Sequence, residues 1–423
     1  MDGANKVAAP PASPAGFRAL WAELGAPKRL LLAVSGGSDS IAMMRLAATL
    51  AADGSASIAV ATVDHGLRTG ARREAEAAGY AARELGLAHE ILDWSGAKPS
   101  SGLQAAARGA RYGLLVRQAQ RVGAEAILTA HTADDQAETL LMRLARGSGP
   151  RGLSAMAKTS LIAAGASAPV SLLRPLLGVR RAALRDFLAA AKAAYIDDPS
   201  NEDLSFERVR VRKMLAGFEA SGALTVEALT ETADQMRAAA TRIEEIEIDR
   251  FSALGGAFDA WGGASLAAAG PSDAALVARL LAAVAGEGYA PAPPRAAQAL
   301  EAAHSARAAT LGGVIIARRG DRLTFTREPA AVLGREGVVA LRPVTIAPAE
   351  RALYDGRFIV QNPFDLPAVL RPLNREEASA FGDQAEGGPA LEIGGEIVAI
   401  PGESEAFAPL AAERFYLRVN RFP

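Results

Sequence analysis

Five apolar residues, Leu30 to Val34, run without a break into Ser35-Gly36-Gly37-Ser38-Asp39-Ser40, and a helical pattern follows from Ile41. A continuous apolar run bounded by glycine predicts a strand buried on both faces, as in a parallel sheet. The pattern recurs: Ser57 to Asp64, His89 to Trp94 and Ala126 to Thr132 predict further strands. Helical periodicity fills 41–52, 71–86, 104–122 and Ala133 to Arg146 between and after them. Strands alternating with helices at this spacing predict an α/β fold with a doubly wound parallel sheet. Ligands bind such sheets beyond the carboxyl ends of the strands, where Ser35, Asp64 and His131 all fall.

Gly147 to Gly152 then predicts a loop, Leu172 to Leu177 a strand, and Arg180 to Ala194 a helix. Asp197-Asp198-Pro199-Ser200-Asn201 is a second break, leading into the basic segment Phe206 to Lys213. Beyond it the periodicity is helical to Ile248 and again over 272–287 and 294–308, whereas 313–328 and the remainder suggest short strands. The expected organisation is a disordered segment over 1–27, an α/β domain over 28–219, a helical middle domain over 220–310, and a small, mostly β or α+β domain over 311–423.

The 423 residues contain no cysteine, which excludes a disulfide framework, an iron–sulfur cluster and a thiolate zinc site. No apolar run approaches the roughly 18 residues of a membrane span, and the N-terminus lacks a signal-peptide core, so a cytoplasmic protein is expected. The net charge of −1 is unevenly spread. Residues 1–220 carry 27 Lys+Arg against 21 Asp+Glu, and residues 221–423 carry 19 against 26. A local basic patch for nucleic acid in the first half is compatible with this, as is an ordinary solvated surface.

Gly36 and Gly37 permit a tight turn and a close ligand approach, and the helix N-terminus after them suits phosphate. No Gly-Lys-Ser/Thr follows, so this is not a Walker loop, nor is it the Gly-x-Gly-x-x-Gly fingerprint. Asp39 places a carboxylate where a phosphate-bound magnesium would sit. Asp135 and Glu138, at i and i+3, share a helix face just after His131 and can hold magnesium or meet an ammonium group. Arg108 and Arg111 repeat that spacing and can offset negative charge on a bound phosphate. Arg208, Arg210 and Arg212 point to one side if the basic segment is extended, suiting phosphate contact.

The loop resembles that of the N-type ATP pyrophosphatases, which adenylate a substrate and release pyrophosphate. Taken with Asp64-His65-Gly66-Leu67-Arg68, Ala106 to Tyr112, His131 to Thr139, Arg146 to Met156, Leu173-Arg174-Pro175-Leu176 and the Asp197 to Asn201 break, residues 28–215 closely resemble the tRNA(Ile)-lysidine synthetases. Beyond that stretch the likeness thins to Tyr354-Asp355-Gly356-Arg357-Phe358. The resemblance implies ATP-dependent ligation of free lysine to C2 of the wobble cytidine of a tRNA(Ile) with a CAU anticodon, through an adenylated base. It implies ATP and Mg2+, a homodimer, and an ATP site of Ser35, Gly36, Gly37, Ser38, Asp39, Ser40, Asp64 and His65. Catalysis would fall to Asp39, Arg111, His131, Asp135 and Glu138, with magnesium at Asp39 and Asp135. Lysine would meet Asp135 and Glu138, and tRNA or phosphate would meet Arg108, Arg151, Arg208, Arg210 and Arg212. Val209 stands where family members often have asparagine, so the chain offers no side-chain amide there; the resemblance makes 28–219 the catalytic domain and 311–423 tRNA-binding or structural. The alternatives are another enzyme of the superfamily, adenylating a tRNA base or a small molecule, and a non-catalytic adenine-nucleotide sensor.

Overall fold

The structure, a computed structural model, describes residues 10–416 apart from 68–69, 97, 100–101, 163–168, 198–201, 268, 287–289, 307 and 383. It divides into two units, residues 1–162 with 170–242, and residues 163–169 with 243–423. The first unit contains, in chain order, α1 (Pro14–Glu23), β1 (Arg29–Ala33), α2 (Ser38–Ala52), β2 (Ser57–Asp64), α3 (Ala71–Glu84), β3 (Ala88–Asp93), α4 (Leu103–Arg121), β4 (Ala126–Leu128), α5 (Ala133–Leu144), α6 (Pro150–Leu153), β5 (Thr159–Ile162), β6 (Val170–Leu173), α7 (Arg181–Ala190) and α8 (Glu207–Ala220). The long helix α9 (Val226–Ala253) begins in it.

The sheet order is β3-β2-β1-β4-β6-β5, parallel except for β5, which pairs antiparallel with β6 at the edge. Leu30, Leu31 and Leu32 of β1 are fully buried, as a central parallel strand requires. The chain winds outward from β1 to β3, then returns to place β4 on the other side of β1. The carboxyl ends of β1 and β4 therefore flank a topological switch point, where sheets of this kind leave a crevice for ligands.

Three expectations change. The first concerns residues 1–27, of which 1–9 lie outside the described residues. Ser13 caps α1, its side chain accepting from the Gly16 N–H, and Pro14 opens the first turn. Phe17 and Trp21, one turn apart, enter the core beside Leu30 and Met43, so burial orders a stretch that its Pro- and Ala-rich flanks made look disordered. The second concerns the basic segment, which is helical. Leu215 packs against Ala137 and Leu140 of α5. That apolar contact overrides the alternation of Arg and Val, so Arg208 and Arg212 share one face and Arg210 turns away.

The third concerns the boundary near 310. Residues 220–310 are mainly helical, yet they supply β7 (Ala257–Phe258) and β8 (Ala264–Ala267) to a sheet completed by β9 (Ala308–Leu311), β10 (Val314–Arg319) and β11 (Arg322–Arg327). Its order is β7-β8-β11-β10-β9, and α10 (Ala274–Ala285) and α11 (Pro293–Ala306) share its core. The β8–β11 pairing thus joins segments from both sides of 310. Two strands of two and four residues are too short to register as alternation.

Two antiparallel sheets follow, as the short-strand pattern predicts: β12 (Val344–Ile346), β15 (Ala368–Pro372), β16 (Pro389–Ile393) and β17 (Glu396–Ala399) form one. The strands β13 (Arg351–Tyr354), β14 (Phe358–Gln361) and β18 (Phe407–Pro409) form the other. The Tyr354 to Phe358 string is the β13–β14 turn. Asp355 holds Arg327 at 2.9 Å and Arg357 at 2.7 Å, and the Tyr354 hydroxyl donates to the Gly387 carbonyl at 2.8 Å. These ties account for the string structurally. Among the described residues no helix is long and apolar enough to cross a membrane.

Candidate active site

The Ser35–Ser40 loop leaves β1 and turns at Gly36, whose φ of +92° lies in the left-handed region that side chains avoid. A Cβ there would also stand 3.1 Å from Ile196 Cδ1, while the Ile196 N–H donates to the Gly36 carbonyl at 2.9 Å. Gly37 is the N-cap of α2, so the helix starts three residues earlier than its periodicity suggests and takes Ser38, Asp39 and Ser40 into its first turn. The Ser40 hydroxyl donates to the Gly37 carbonyl at 2.9 Å and receives the Ser35 N–H at 3.2 Å, closing the turn on itself. First-turn N–H groups have no intrahelical acceptor, and with the helix dipole they form a cradle for an anionic group.

At the end of β2, Asp64 Oδ1 accepts the Gly66 N–H at 2.9 Å, shaping the turn. His65 packs edge-on against Trp94 with centroids 6.0 Å apart. Its Nδ1 is buried and has no hydrogen-bond partner among the described residues. Burial lowers the His65 pKa, and the charge of Arg111 lowers it further against the opposing charge of Asp64, which favours the neutral ring. Arg68 of the same motif, and Asp198 to Asn201 of the later one, lie outside the described residues.

Thr132 caps α5 through a reciprocal box. Its N–H and hydroxyl donate to Asp135 Oδ2 at 2.8 and 2.9 Å, and its hydroxyl accepts the Asp135 N–H at 3.4 Å. Asp135 is thereby fixed at the helix N-terminus with Oδ1 facing the switch point. Next to the cap, His131 pairs with the Thr129 hydroxyl through Nδ1 at 3.0 Å. Burial pushes its pKa down to about 3, with Arg174, Arg111 and Arg208 adding to the effect against the opposing charge of Asp135. His131 is neutral near pH 7. It can position or accept, but it cannot serve as a cation.

Glu138 sits one turn further along α5 and is 1% exposed. Its Oε2 receives Arg208 Nε at 2.8 Å, its Oε1 receives Arg212 Nε at 2.7 Å, and Arg181 Nη1 lies 3.5 Å from Oε1. Asp135 and Glu138 share a face as expected, but both are already held by arginines, so an ammonium group reaches them only by displacing one. Arg208 and Arg212, expected to meet nucleic acid, face inward to Glu138 because both lie on the buried side of a helix. Arg210 stays outside and donates to the Leu204 and Ser205 carbonyls.

The residue that the patterning missed is Arg181. Its Nε donates to Asp39 Oδ2 at 3.0 Å and its Nη2 to Asp135 Oδ1 at 3.1 Å, so one guanidinium joins the first turns of α2 and α5. Its backbone N–H donates to Asp134 Oδ2 at 2.7 Å, and the Ala133 N–H donates to the Val179 carbonyl at 2.9 Å. These bonds lock the start of α7 to that of α5. A signal was present: a cation at a helix start opposes the dipole and calls for nearby carboxylates. Burial raises the Asp39 pKa, and the Asp135 charge adds to this, while Arg181 restrains it. Asp135 goes the other way: burial opposes ionisation, but Arg208 and Arg181 outweigh it and hold the carboxyl below its usual range.

Arg108 and Arg111 lie on α4, their Cζ atoms 5.2 and 5.9 Å from the Tyr112 ring centre. Arg111 is close enough to both His65 and His131 to affect their protonation. Arg151 is on the exposed helix α6, and an ion pair between Arg146 and Glu207 ties the loop before α6 to the start of α8. Arg174 is fully buried and donates to the Ala157 carbonyl at 2.8 Å and the Ser160 hydroxyl at 3.1 Å, holding edge strand β5. Among the described residues no three His, Asp or Glu side chains converge as a closed metal cage. Asp39 and Asp135 are two carboxylates joined by the Arg181 guanidinium.

Comparison with known proteins gives a consistent answer. Residues 15–217 match the PP-loop domain family. A tRNA(Ile)-lysidine synthase of Ruegeria pomeroyi is 38% identical over 392 residues, covering 89% of this chain and 88% of that protein. The corresponding protein of Brucella canis is 36% identical, covering 89% and 87%. That of Bradyrhizobium diazoefficiens is 52% identical over 207 residues, 48% of this chain and 55% of that protein.

Proposed function

The chain belongs to the tRNA(Ile)-lysidine synthase family, and on that premise we propose that it ligates free lysine to C2 of the wobble cytidine of a tRNA(Ile) with a CAU anticodon, converting ATP to AMP and pyrophosphate. The observation that carries the reading is that relatedness at 38% identity extends over 89% of the chain. In the first half, the Ser35–Ser40 loop and the Asp135/Glu138 helix converge on one switch point.

In this proposal the turn at Gly36 and Gly37 and the first-turn N–H groups of α2 hold the phosphates of ATP. The buried Nδ1 of His65 offers an acceptor to a ligand N–H group. The cytosine 2-oxygen attacks the α-phosphorus, forming the adenylated base as pyrophosphate leaves, and Arg111 offsets the charge that develops. The lysine ε-amine then attacks C2 and AMP departs. Neutral His131, tied to Thr129, serves as a positioning group.

Magnesium fits the donor set. Mg2+ is held by one or two carboxylates plus substrate phosphates, and Asp39 and Asp135 are two carboxylates beside a phosphate cradle. Bound there, it would neutralise phosphate charge. Lysine recognition falls to Asp135 and Glu138, with Glu138, paired with Arg208 and Arg212 in the free protein, taking the ammonium while Asp135 faces magnesium. Arg108, Arg151 and Arg210 are the candidates for phosphate contact, and the homodimer and a cytoplasmic location belong to the same proposal.

The test incubates the protein with radiolabelled lysine, ATP and a CAU-anticodon tRNA(Ile) transcript. Label is expected in the tRNA in an ATP-dependent manner. Absence of label, with the protein folded and binding ATP, would remove the reading.

A further inference from the structure

Arg181 lies among the carboxylates of the candidate site, and three observations place it there by construction. Its guanidinium bonds Asp39 on α2 and Asp135 on α5 together, at 3.0 and 3.1 Å. Its backbone is anchored independently of those bonds, through Asp134, and α7 behind it is fixed by fully buried Leu184 and Leu188. A third carboxylate, Glu138, borders it with Oε1 3.5 Å from its Nη1, although that carboxylate is already paired with Arg208 and Arg212. Arg208 and Arg212 compensate Glu138, and Arg208 Nη2 lies 3.8 Å from Asp135, so without Arg181 the Asp39 carboxylate would stand beside Asp135 in a largely desolvated pocket with no cation of its own among the described ion pairs. Such an arrangement is strongly unfavourable unless compensated.

We propose that Arg181 is an internal counter-cation: it holds Asp39 and Asp135 convergent while the site is empty and yields them to the divalent cation that arrives with the nucleotide. A divalent cation held by these two carboxylates would repel a guanidinium paired with them at close range and low dielectric. Occupancy by one therefore weakens the other. Arg181 is a positioning residue in this scheme, since it acts through the carboxylates. The consequence is that the free protein binds a divalent cation weakly on its own and more tightly once the phosphates of ATP contribute ligands. The inference rests on the reading of Asp39 and Asp135 as the magnesium-facing pair.

The experiment is titration of the full-length protein with Mn2+, followed by electron paramagnetic resonance, without nucleotide or tRNA and then with ATP. Arg181→Met removes the competing charge at similar length, and nucleotide-free Mn2+ affinity is expected to rise at least tenfold. Asp39→Asn in the Arg181→Met background should abolish that gain. Thermal unfolding gives a second readout. The Met variant should unfold at lower temperature than wild type in EDTA and recover with Mn2+, whereas wild type should respond little until ATP is added. Arg181→Lys, which keeps the charge but loses the two-pronged geometry, should fall between the two and serves if the Met variant does not fold. Equal or weaker Mn2+ binding by the variants overturns the exchange alone. No Mn2+ binding by any of the proteins, with or without ATP, overturns the magnesium assignment as well, and neither result depends on which acceptor is adenylated.

Discussion

Glu138, Asp39 and His131 are adjacent in function and opposite in electrostatic circumstance. The Glu138 carboxylate is wholly buried and saturated by Arg208 and Arg212, whose side chains are 38% and 33% exposed. Glu138→Ala should abolish lysine incorporation and lower unfolding stability by about 3 kcal/mol, the low end for breaking a buried pair because both arginines can rehydrate. Denaturant melts and the incorporation assay read the two effects separately. Asp39→Ala should abolish incorporation with little loss of fold, since it removes a carboxylate that burial already disfavours; wild-type turnover would remove its role. For His131 the sign is clear: its folded pKa, about 3, lies below the unfolded value of 6.5. The unfolded chain therefore binds the extra proton between those values, and stability falls as pH drops through that window. The slope approaches about 1.4 kcal/mol per pH unit below pH 6, and His131→Asn should flatten it in urea melts at pH 5 and 7. The chemical identities of these residues were legible in the chain. Their partners were not, because Arg181, Arg208 and Arg212 are 43 to 74 positions away from the carboxylates of α5 that they hold.

At the level of elements, the site is an arrangement of helix starts. α2 begins at the Gly36–Gly37 turn, α5 at the Thr132 box, and α7 at an N–H capped by Asp134 from another helix. Gly36→Ala puts a side chain at φ +92° and against Ile196. It should cost roughly 1–3 kcal/mol and raise the KM for ATP more than that for lysine, as steady-state kinetics would reveal. The strand and helix pattern over 30–146 was readable because burial on both faces leaves a long apolar run and amphipathic helices leave a period. α1, in a stretch whose composition suggests disorder, and α8, whose sequence left its conformation open, share one reason: each is ordered by contacts with residues far along the chain. Phe17 needs Met43, and Leu215 needs Ala137. The pairing of β8 with β11 across about 60 residues is another instance.

Over the whole molecule, the charge split between halves makes a specific claim about RNA binding. If Arg151 and Arg210 touch phosphates, each change to alanine should reduce the slope of log K against log salt by about 0.7 to 0.9; tRNA binding across a salt series measures this, and an unchanged slope would exclude the residue. The acidic second half should contribute little to that slope. By itself, the sequence determined the α/β class, the glycine turn after β1, the strand-end positions of Ser35, Asp64 and His131 and the family, because hydrophobic period, glycine and residue identity are local properties. Only the tertiary structure decided how the charges compensate one another: that one arginine from α7 spans Asp39 and Asp135, that Glu138 is closed off by α8, and that the segment around 310 belongs to a single core. Desolvation is the reason. A buried carboxylate must find a cation wherever the chain can bring one, and that choice is made by packing in three dimensions.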